Sequence, residues 1–148
     1  MRSQVWQAQD ALYTALDGAT YPGRVSVDLG VPGRLETDHI WVSGEVDEWS
    51  ALYRTSGLAA KDETFSMRVH IYSTRMGGYA DARDRVQELG EVVEDAVHAD
   101  YTLNGTVMLA KITRSQLEES ITDEGRSRGL LLTFWVECQA HVVPAPTP

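Results

Sequence analysis

The feature that most constrains the fold is a strict alternation of apolar and other residues from Leu130 to Val142. Successive side chains of a β-strand point to opposite faces of a sheet, so an apolar residue at every second position predicts a strand with one buried face. The opposite face is mixed, which predicts a central strand whose second face is partly covered by a neighbour or a partner. The apolar face consists of Leu130, Leu132, Phe134, Val136, Cys138, Ala140 and Val142.

Three shorter segments predict further strands of the same sheet. Apolar residues alternate with others from Arg24 to Leu29, from His39 to Glu45 and from Phe65 to Tyr72, as expected of strands with one apolar face. We expect the last two to continue into a long β-hairpin arm that turns near Thr55 to Ala60. The alternative is a plain loop, which at this length is uncommon unless it is functional.

The last third of the chain predicts one more strand, two turns and a tail. Thr102 to Gly105 and Asp123 to Arg126 are typical turn sequences. Between them, Val107 to Ile121 predicts a strand that leaves the core toward its end. Residues 144–148 are rich in proline, which lacks the N–H that a strand needs, so we expect an extended tail after a single domain of residues 1–143.

Two segments have the spacing of amphipathic helices. The first runs from Ser3 to Leu16, with Ser3 as a predicted N-cap and Gly18 as the predicted stop. The second has apolar residues from Ala82 to Val97 and acidic residues on its opposite face. Gly90, inside the second helix, indicates either close packing or a tolerated weakness. The elements together predict an α+β fold, with a mixed, mainly antiparallel sheet packed against two helices and a long β-hairpin arm.

Composition excludes several classes of protein. The 148 residues include 22 Asp and Glu against 13 Lys and Arg, a net charge of −9, which argues against a general nucleic-acid binder or an anionic membrane surface. The one cysteine cannot form an internal disulfide, so a disulfide-bonded secreted scaffold is excluded. Neither a signal-peptide core nor an apolar run long enough to span a membrane occurs, and we expect an intracellular product.

No motif in the sequence predicts a catalytic, cofactor-binding or metal-binding residue. The spacing of the four histidines matches no zinc motif, and both common phosphate-binding glycine loops are missing. Cys138 lies on the apolar face of the last strand, where a cysteine usually packs as a small hydrophobe. The strongest candidates for a small-molecule pocket are His70, Tyr72 and His141, provided that their strands are neighbours.

Large apolar residues in the hairpin segment fall outside the core pattern. Trp49, Leu52, Tyr53 and Leu58 lie in or next to the acidic part of the predicted arm. An arm of this size with such residues normally needs something to cover them. Two interpretations remain open at this point: the residues pack back on their own domain, or they contact another subunit or another protein.

Four short segments stand out by their order and spacing along the chain. They are Ile40–Gly44 (IWVSG), Lys61–Phe65 (KDETF), Ala99–Gly105 (ADYTLNG) and Glu124–Arg126 (EGR). Together with the N-terminal helix, they resemble the tail terminator proteins of long-tailed, siphovirus-type actinobacterial phages and prophages. The resemblance extends from about Val5 to Ala140.

The resemblance implies a virion structural protein without catalysis or cofactor. Its α+β protomer would assemble into a homohexameric ring at the head-proximal end of the tail, after synthesis in the cytoplasm of the host bacterium. The ring would cap the tail tube, end its polymerisation and join it to the head completion or connector proteins. DNA would pass through the lumen without specific binding, and no membrane would be involved. Trp49, Leu52, Tyr53 and Leu58 would then contact a neighbouring subunit or the tube.

Two other functions remain open from the sequence. The chain could be another tail-tube or head-tail joining protein, which assembly behaviour would distinguish, because a tube protein extends into filaments. It could also be a small cytoplasmic enzyme or ligand-binding module. That function requires a pocket in which polar groups converge.

Overall fold

The computed structural model describes residues 3–54, 60–76, 78–122 and 127–143. This part of the chain contains two α-helices and five β-strands. In chain order they are α1 (Val5–Asp17), β1 (Ser26–Leu29), β2 (Asp38–Arg54), β3 (Ala60–Arg75), α2 (Tyr79–Ala99), β4 (Leu109–Thr122) and β5 (Ser127–Val142).

The strands form one sheet in the order β1-β2-β3-β5-β4. β1 runs parallel to β2, and every other neighbouring pair is antiparallel. The predicted α+β class with a mixed, mainly antiparallel sheet is therefore confirmed. β5 lies between β3 and β4, which confirms that the most strictly alternating segment is an interior strand.

The predicted long hairpin is present, and the alternative of a plain loop is wrong. β2 and β3 pair from Asp38 opposite Ser73 to Arg54 opposite Ala60, with register shifts between Val42 and Val46 and again after Asp47. We refer to the distal part of this hairpin, residues 47–54 and 60–65, as the arm. The predicted turn near Thr55 to Ala60 and the turn at 123–126 include residues outside those described, as does the tail at 144–148.

Both helices pack on one face of the sheet, which we call the helix face. The apolar stripe of α1 and that of α2 meet the side chains of β3 that point to this face. β5 contributes its predicted apolar face, of which all members are buried except the half-buried Leu132. The core that results includes Val5, Leu12, Leu16, Phe65, Met67, Val69, Ile71, Leu89, Val93, Phe134 and Val136.

The helix termini differ in detail from the predictions. α1 begins at Val5, with Gln4 and not Ser3 at the N-cap position. The Ser3 hydroxyl still accepts a hydrogen bond from the Val5 backbone N–H, at 3.1 Å. Gly18 is the C-cap as predicted, although its φ of −83° is one that any residue adopts.

A buried carboxylate ties α2 to the sheet. Asp38 at the start of β2 accepts hydrogen bonds from Ser73 Oγ at 2.7 Å and from Arg85 Nε of α2 at 2.8 Å, and it also pairs with Arg75. Burial alone would raise the pKa of Asp38, but the hydrogen bonds from Arg75, Ser73 and Arg85 outweigh it and lower the pKa. The cluster therefore connects β2, β3 and α2 by interactions that need the charged carboxylate.

Gly90 marks the closest approach of α2 to the sheet. A Cβ atom added at this position would lie 3.0 Å from Leu132 Cδ2 and 3.5 Å from Phe134 Cζ, both on β5. Of the two interpretations that the sequence allowed, close packing is the one confirmed. The lack of a side chain lets the helix backbone approach β5 directly.

We expect Gly90→Val to destabilise the fold by about 1–3 kcal/mol, because the extra carbons overpack the contact with Leu132 and Phe134. Thermal and urea unfolding would measure the change. Glu91→Val serves as the control, since it places the same β-branched side chain at the next, exposed position of the helix. Equal stability of the two variants would contradict the close packing of α2 on β5.

Candidate functional site

The arm carries the large apolar residues that the sequence singled out. Its strand β2 leaves Trp49 47% exposed, Leu52 71% exposed and Tyr53 61% exposed. Leu58 lies outside the described residues. The structure brings the first three together on one hairpin, but it divides them between two faces. Leu52 pairs with Asp62, whereas Tyr53 pairs with Lys61 on the helix face.

A buried carboxylate anchors the arm. Glu63 on β3 is 1% exposed and accepts hydrogen bonds from Ser3 Oγ at 2.7 Å, from the Gln4 backbone N–H at 2.8 Å and from Trp49 Nε1 at 2.9 Å. Lys61 Nζ lies 3.9 Å from the same carboxylate. One charged group on the β3 strand of the arm thus contacts both the start of α1 and the β2 strand of the arm.

The donors around Glu63 decide its ionisation. Burial alone would raise the pKa of Glu63, but the hydrogen bonds from Gln4, Ser3 and Trp49 outweigh it and lower the pKa. The carboxylate is therefore charged at neutral pH. The backbone N–H at the start of a helix is a favourable partner for a negative charge, which makes Glu63 an anchor for α1 supplied from another strand.

Trp49 packs partly on its own domain. Its ring meets the ring of Trp6 edge to face, with centroids 6.0 Å apart and planes at 89°. With the hydrogen bond to Glu63, this contact fixes the indole while leaving much of its outer surface exposed. For Trp49 the first interpretation, packing on its own domain, is therefore correct in part, whereas Leu52 and Tyr53 remain largely exposed.

A second ionic group joins the arm to the end of β5. Asp62 accepts a hydrogen bond from His141 Nδ1 at 2.7 Å and from Arg54 Nη2 at 2.8 Å. These partners, His141 first and then Arg54, lower the pKa of Asp62. The arm is thereby held against β5 as well as against α1.

The face of the sheet opposite the helices, which we call the helix-free face, carries a charged network. Arg68 donates to both carboxylate oxygens of Asp47, at 2.7 and 2.8 Å. The Trp135 indole N–H also donates to Asp47, at 3.2 Å. Arg114 of β4 lies over the Trp135 ring, 4.3 Å from its centroid. Hydrogen bonds from Arg68 are the main cause of the lowered pKa of Asp47.

The histidine and tyrosine candidates do not form one pocket. β3 and β5 are indeed neighbours, but the register places His70 opposite Thr133 and His141 opposite Asp62, at different levels of the sheet. His70 Nδ1 lies 2.9 Å from Thr133 Oγ1, and burial lowers the pKa of His70. The expectation that His70, Tyr72 and His141 converge if their strands are neighbours is therefore wrong.

The buried His39 has both ring nitrogens occupied. Nδ1 accepts the Glu36 backbone N–H at 3.0 Å, and Nε2 pairs with Asp28. Because Nδ1 accepts a hydrogen bond, Nε2 carries the proton and donates it to the carboxylate. This histidine joins β1 to β2 and to the segment before β2, and it has no nitrogen left for a substrate.

Cys138 is a core residue, as the sequence predicted. It is fully buried in the apolar core, and burial, followed by the nearby Glu137, raises the pKa of its thiol to about 12. Among residues 3–54, 60–76, 78–122 and 127–143, no group of three or more His, Cys, Asp or Glu is placed to hold a metal ion. In the same part of the chain, neither helix is long and apolar enough to span a membrane.

Comparisons with known proteins leave the family open. No protein-family model and no curated protein matches the chain. Among solved structures, a chain of a particle described as "Virion of native gene transfer agent (GTA) particle" is similar, with 18% identity, a TM-score of 0.42 and 92% of each chain covered. Similarity at this level assigns neither a family nor a function.

Sequence reasoning did not single out Glu63 as a functional residue, although a signal was present. Glu63 is in phase with Phe65, Met67, Val69 and Ile71, so the alternation of β3 already places it on the buried helix face. A carboxylate in that position needs donors. The sequence gives no indication that these come from Ser3, Gln4 and Trp49.

We expect Glu63→Gln to lower the free energy of unfolding at pH 7 by about 1–3 kcal/mol, because an amide NH₂ then faces the donors that the carboxylate accepts. A group with a lowered folded-state pKa stabilises the fold above its unfolded pKa, and this contribution is lost as the pH falls through the folded value. The difference in free energy of unfolding between the wild-type protein and Glu63→Gln should therefore become smaller below about pH 4.

Urea unfolding between pH 3 and pH 7 would measure this difference, with the exposed Glu88→Gln of α2 as the control. A Glu63→Gln protein as stable as the control variant at pH 7 would contradict the anchoring role of the carboxylate.

Proposed function

We propose that the protein is a phage virion structural protein, the tail terminator of a siphovirus-type particle. Its copies form a hexameric ring at the head-proximal end of the tail, cap the tail tube, end its polymerisation and join it to the head completion proteins. The sequence resemblance described above supports this role. The protein acts by contact and carries out no catalysis.

The observation that carries the proposal is the arm. Its β3 strand is paired with β5 as far as Lys61, and its β2 strand, linked to Glu63 by Trp49 and to Asp62 by Arg54, presents Leu52 and Tyr53 to solvent. Exposed large apolar side chains on an anchored element are typical of a protein contact. We propose that Leu52 and Tyr53 contact a neighbouring subunit or the tube, with Leu58 and the outer face of Trp49 adding to the same contact.

The sheet also supports a ring. A head-to-tail contact joins two different surfaces of the same protein, and it either closes into a ring or continues as a filament. Here the sheet ends in β4 on one side and in β2 with the short β1 on the other. Two unlike edges at opposite ends of one sheet are suited to such a contact.

The charge of the protein is consistent with a conduit for DNA. The net charge is −9, and the outer side of α2 carries acidic residues that are exposed, among them Asp84, Glu88 and Glu91. A negatively charged wall repels phosphate. DNA would therefore pass through the lumen without specific binding.

We expect the double variant Leu52→Ser, Tyr53→Ser to lose ring formation or attachment to tail tubes while its melting temperature changes little. The physical reason is that both side chains are largely exposed, so their loss removes contact area and not core packing. Light scattering, negative-stain images and co-sedimentation with tail tubes would measure assembly.

The matched control is Val31→Ser, Tyr101→Ser, which removes an aliphatic and an aromatic side chain that are also exposed but lie outside the arm. Normal assembly of the arm variant, or equal loss in both, would contradict the proposal. Open filaments of the wild-type protein would instead identify a tail-tube protein.

A further inference from the structure

The two ends of the sheet carry opposite charges at the same height. β4 is the outermost strand on one side. On the other side, β1 covers β2 only from His39 to Val42, so within the described residues the outer edge of β2 beyond this point has no paired strand. An uncovered strand edge is a surface on which another chain can pack.

The register across the sheet fixes which residues stand level. Lys111 of β4 pairs with Glu137 of β5, which pairs with Ser66 of β3, which pairs with Asp47 of β2. Lys111 therefore stands level with Asp47 and next to the level of Glu48.

The level of Arg114 follows by the same path, because Arg114 pairs with Trp135 and Trp135 pairs with Arg68. Val42 and Val46 of β2 pair with Val69 and Met67, the two neighbours of Arg68 on β3. Glu45 lies in the irregular stretch between Val42 and Val46, so it stands at about the level of Arg68 and of Arg114.

These charges are exposed, and within the described residues three of the four make no ion pair in the protomer. Lys111, Arg114, Glu45 and Glu48 are all exposed. In the described part of the chain, the ion pairs include neither Lys111 nor Arg114 nor Glu48, although Arg114 lies over the Trp135 ring and its charge helps to lower the pKa of Asp47. The carboxylate of Glu45, 79% exposed, pairs with Arg68 at 3.2 Å. Glu48 also has a φ of +51°, a conformation that non-glycine residues adopt at a cost and that often marks a functional position.

The strand directions allow two copies to meet at these edges. Three successive antiparallel pairings separate β2 from β4, so β4 runs opposite to β2. When copies stand side by side around an axis along the strands, β4 of one copy lies antiparallel to β2 of the next. Residues at equal height then face each other.

We infer that the partner of the β4 edge is the β2 edge of a second copy of this chain, with Lys111 and Arg114 of one copy facing Glu45 and Glu48 of the next. This inference rests on the proposed ring and names the contact that closes it. The contact is head-to-tail, because the basic pair and the acidic pair lie on opposite edges of each protomer.

Charge reversal tests the contact directly. The first variant, Lys111→Glu with Arg114→Glu, carries two acidic edges; the second, Glu45→Lys with Glu48→Lys, carries two basic edges. Each variant alone should need a protein concentration at least about tenfold higher than the wild type to assemble, because like charges now face each other. Mixed in equal amounts, they should regain assembly as rings in which the two variants alternate, detected by native mass spectrometry as equal numbers of each.

Controls separate this contact from a general effect of charge. Arg34→Glu with Arg83→Glu, and Asp84→Lys with Glu91→Lys, make the same changes of charge at exposed positions off these edges, and circular dichroism verifies the fold of every variant. Assembly of the wild type should also weaken as salt rises, which tests the contact even where a variant fails to fold.

The possible failures are distinguishable. If both reversed variants form rings as readily as the wild type, or if the mixed variants do not assemble together, the edge contact is overturned while the proposed ring stays intact. A dimer sensitive to the β4 changes and insensitive to the β2 changes would also overturn it. Absence of rings from the wild-type protein together with its tail tube would overturn the proposed function itself.

Discussion

The structure depends first on the buried carboxylate of Glu63. It is a charge in the interior, stabilised by Ser3, Gln4 and Trp49, and these donors come from the N-terminal segment and from the arm. Burying a charge is costly unless its partners are held in place. The same interaction therefore ties the start of α1 to the arm, in addition to the apolar packing of α1 in the core. The exposed Leu52 and Tyr53 lie on the same arm, where they pair with Asp62 and Lys61.

A second constraint is that the sheet has two unlike ends. The helices cover one face of the sheet and leave its edge strands uncovered. In the described residues, β4 forms one edge, and the distal part of β2, beyond the short β1, forms the other. Natural proteins protect such edges by charge, by bulges or by cover. This protein has both charge and register shifts on each of these edges. A head-to-tail ring of copies would use both edges and leave none open, which connects the proposed function to the topology.

Much of the fold follows from local patterns, whereas the anchors of the arm do not. The alternation in β5, the amphipathic α2 and the hairpin of β2 and β3 are each encoded within a few neighbouring residues, so the sequence predicts them. The order of the strands depends on pairings between distant segments, and two of the donors to Glu63, Ser3 and Gln4, lie 60 and 59 positions away along the chain. No local pattern reveals these contacts. For the same reason, the sequence could suggest that His70 and His141 meet, and only the register of β3 with β5 shows that they do not.

The most direct measurement is the subunit number of the purified wild-type protein, by native mass spectrometry and negative-stain images across a concentration series and with tail tubes present. We expect closed rings of six subunits that do not grow as the concentration rises, because a head-to-tail contact that closes leaves no free end. Open filaments of variable length, or a monomer at every concentration even with tubes present, would contradict the account.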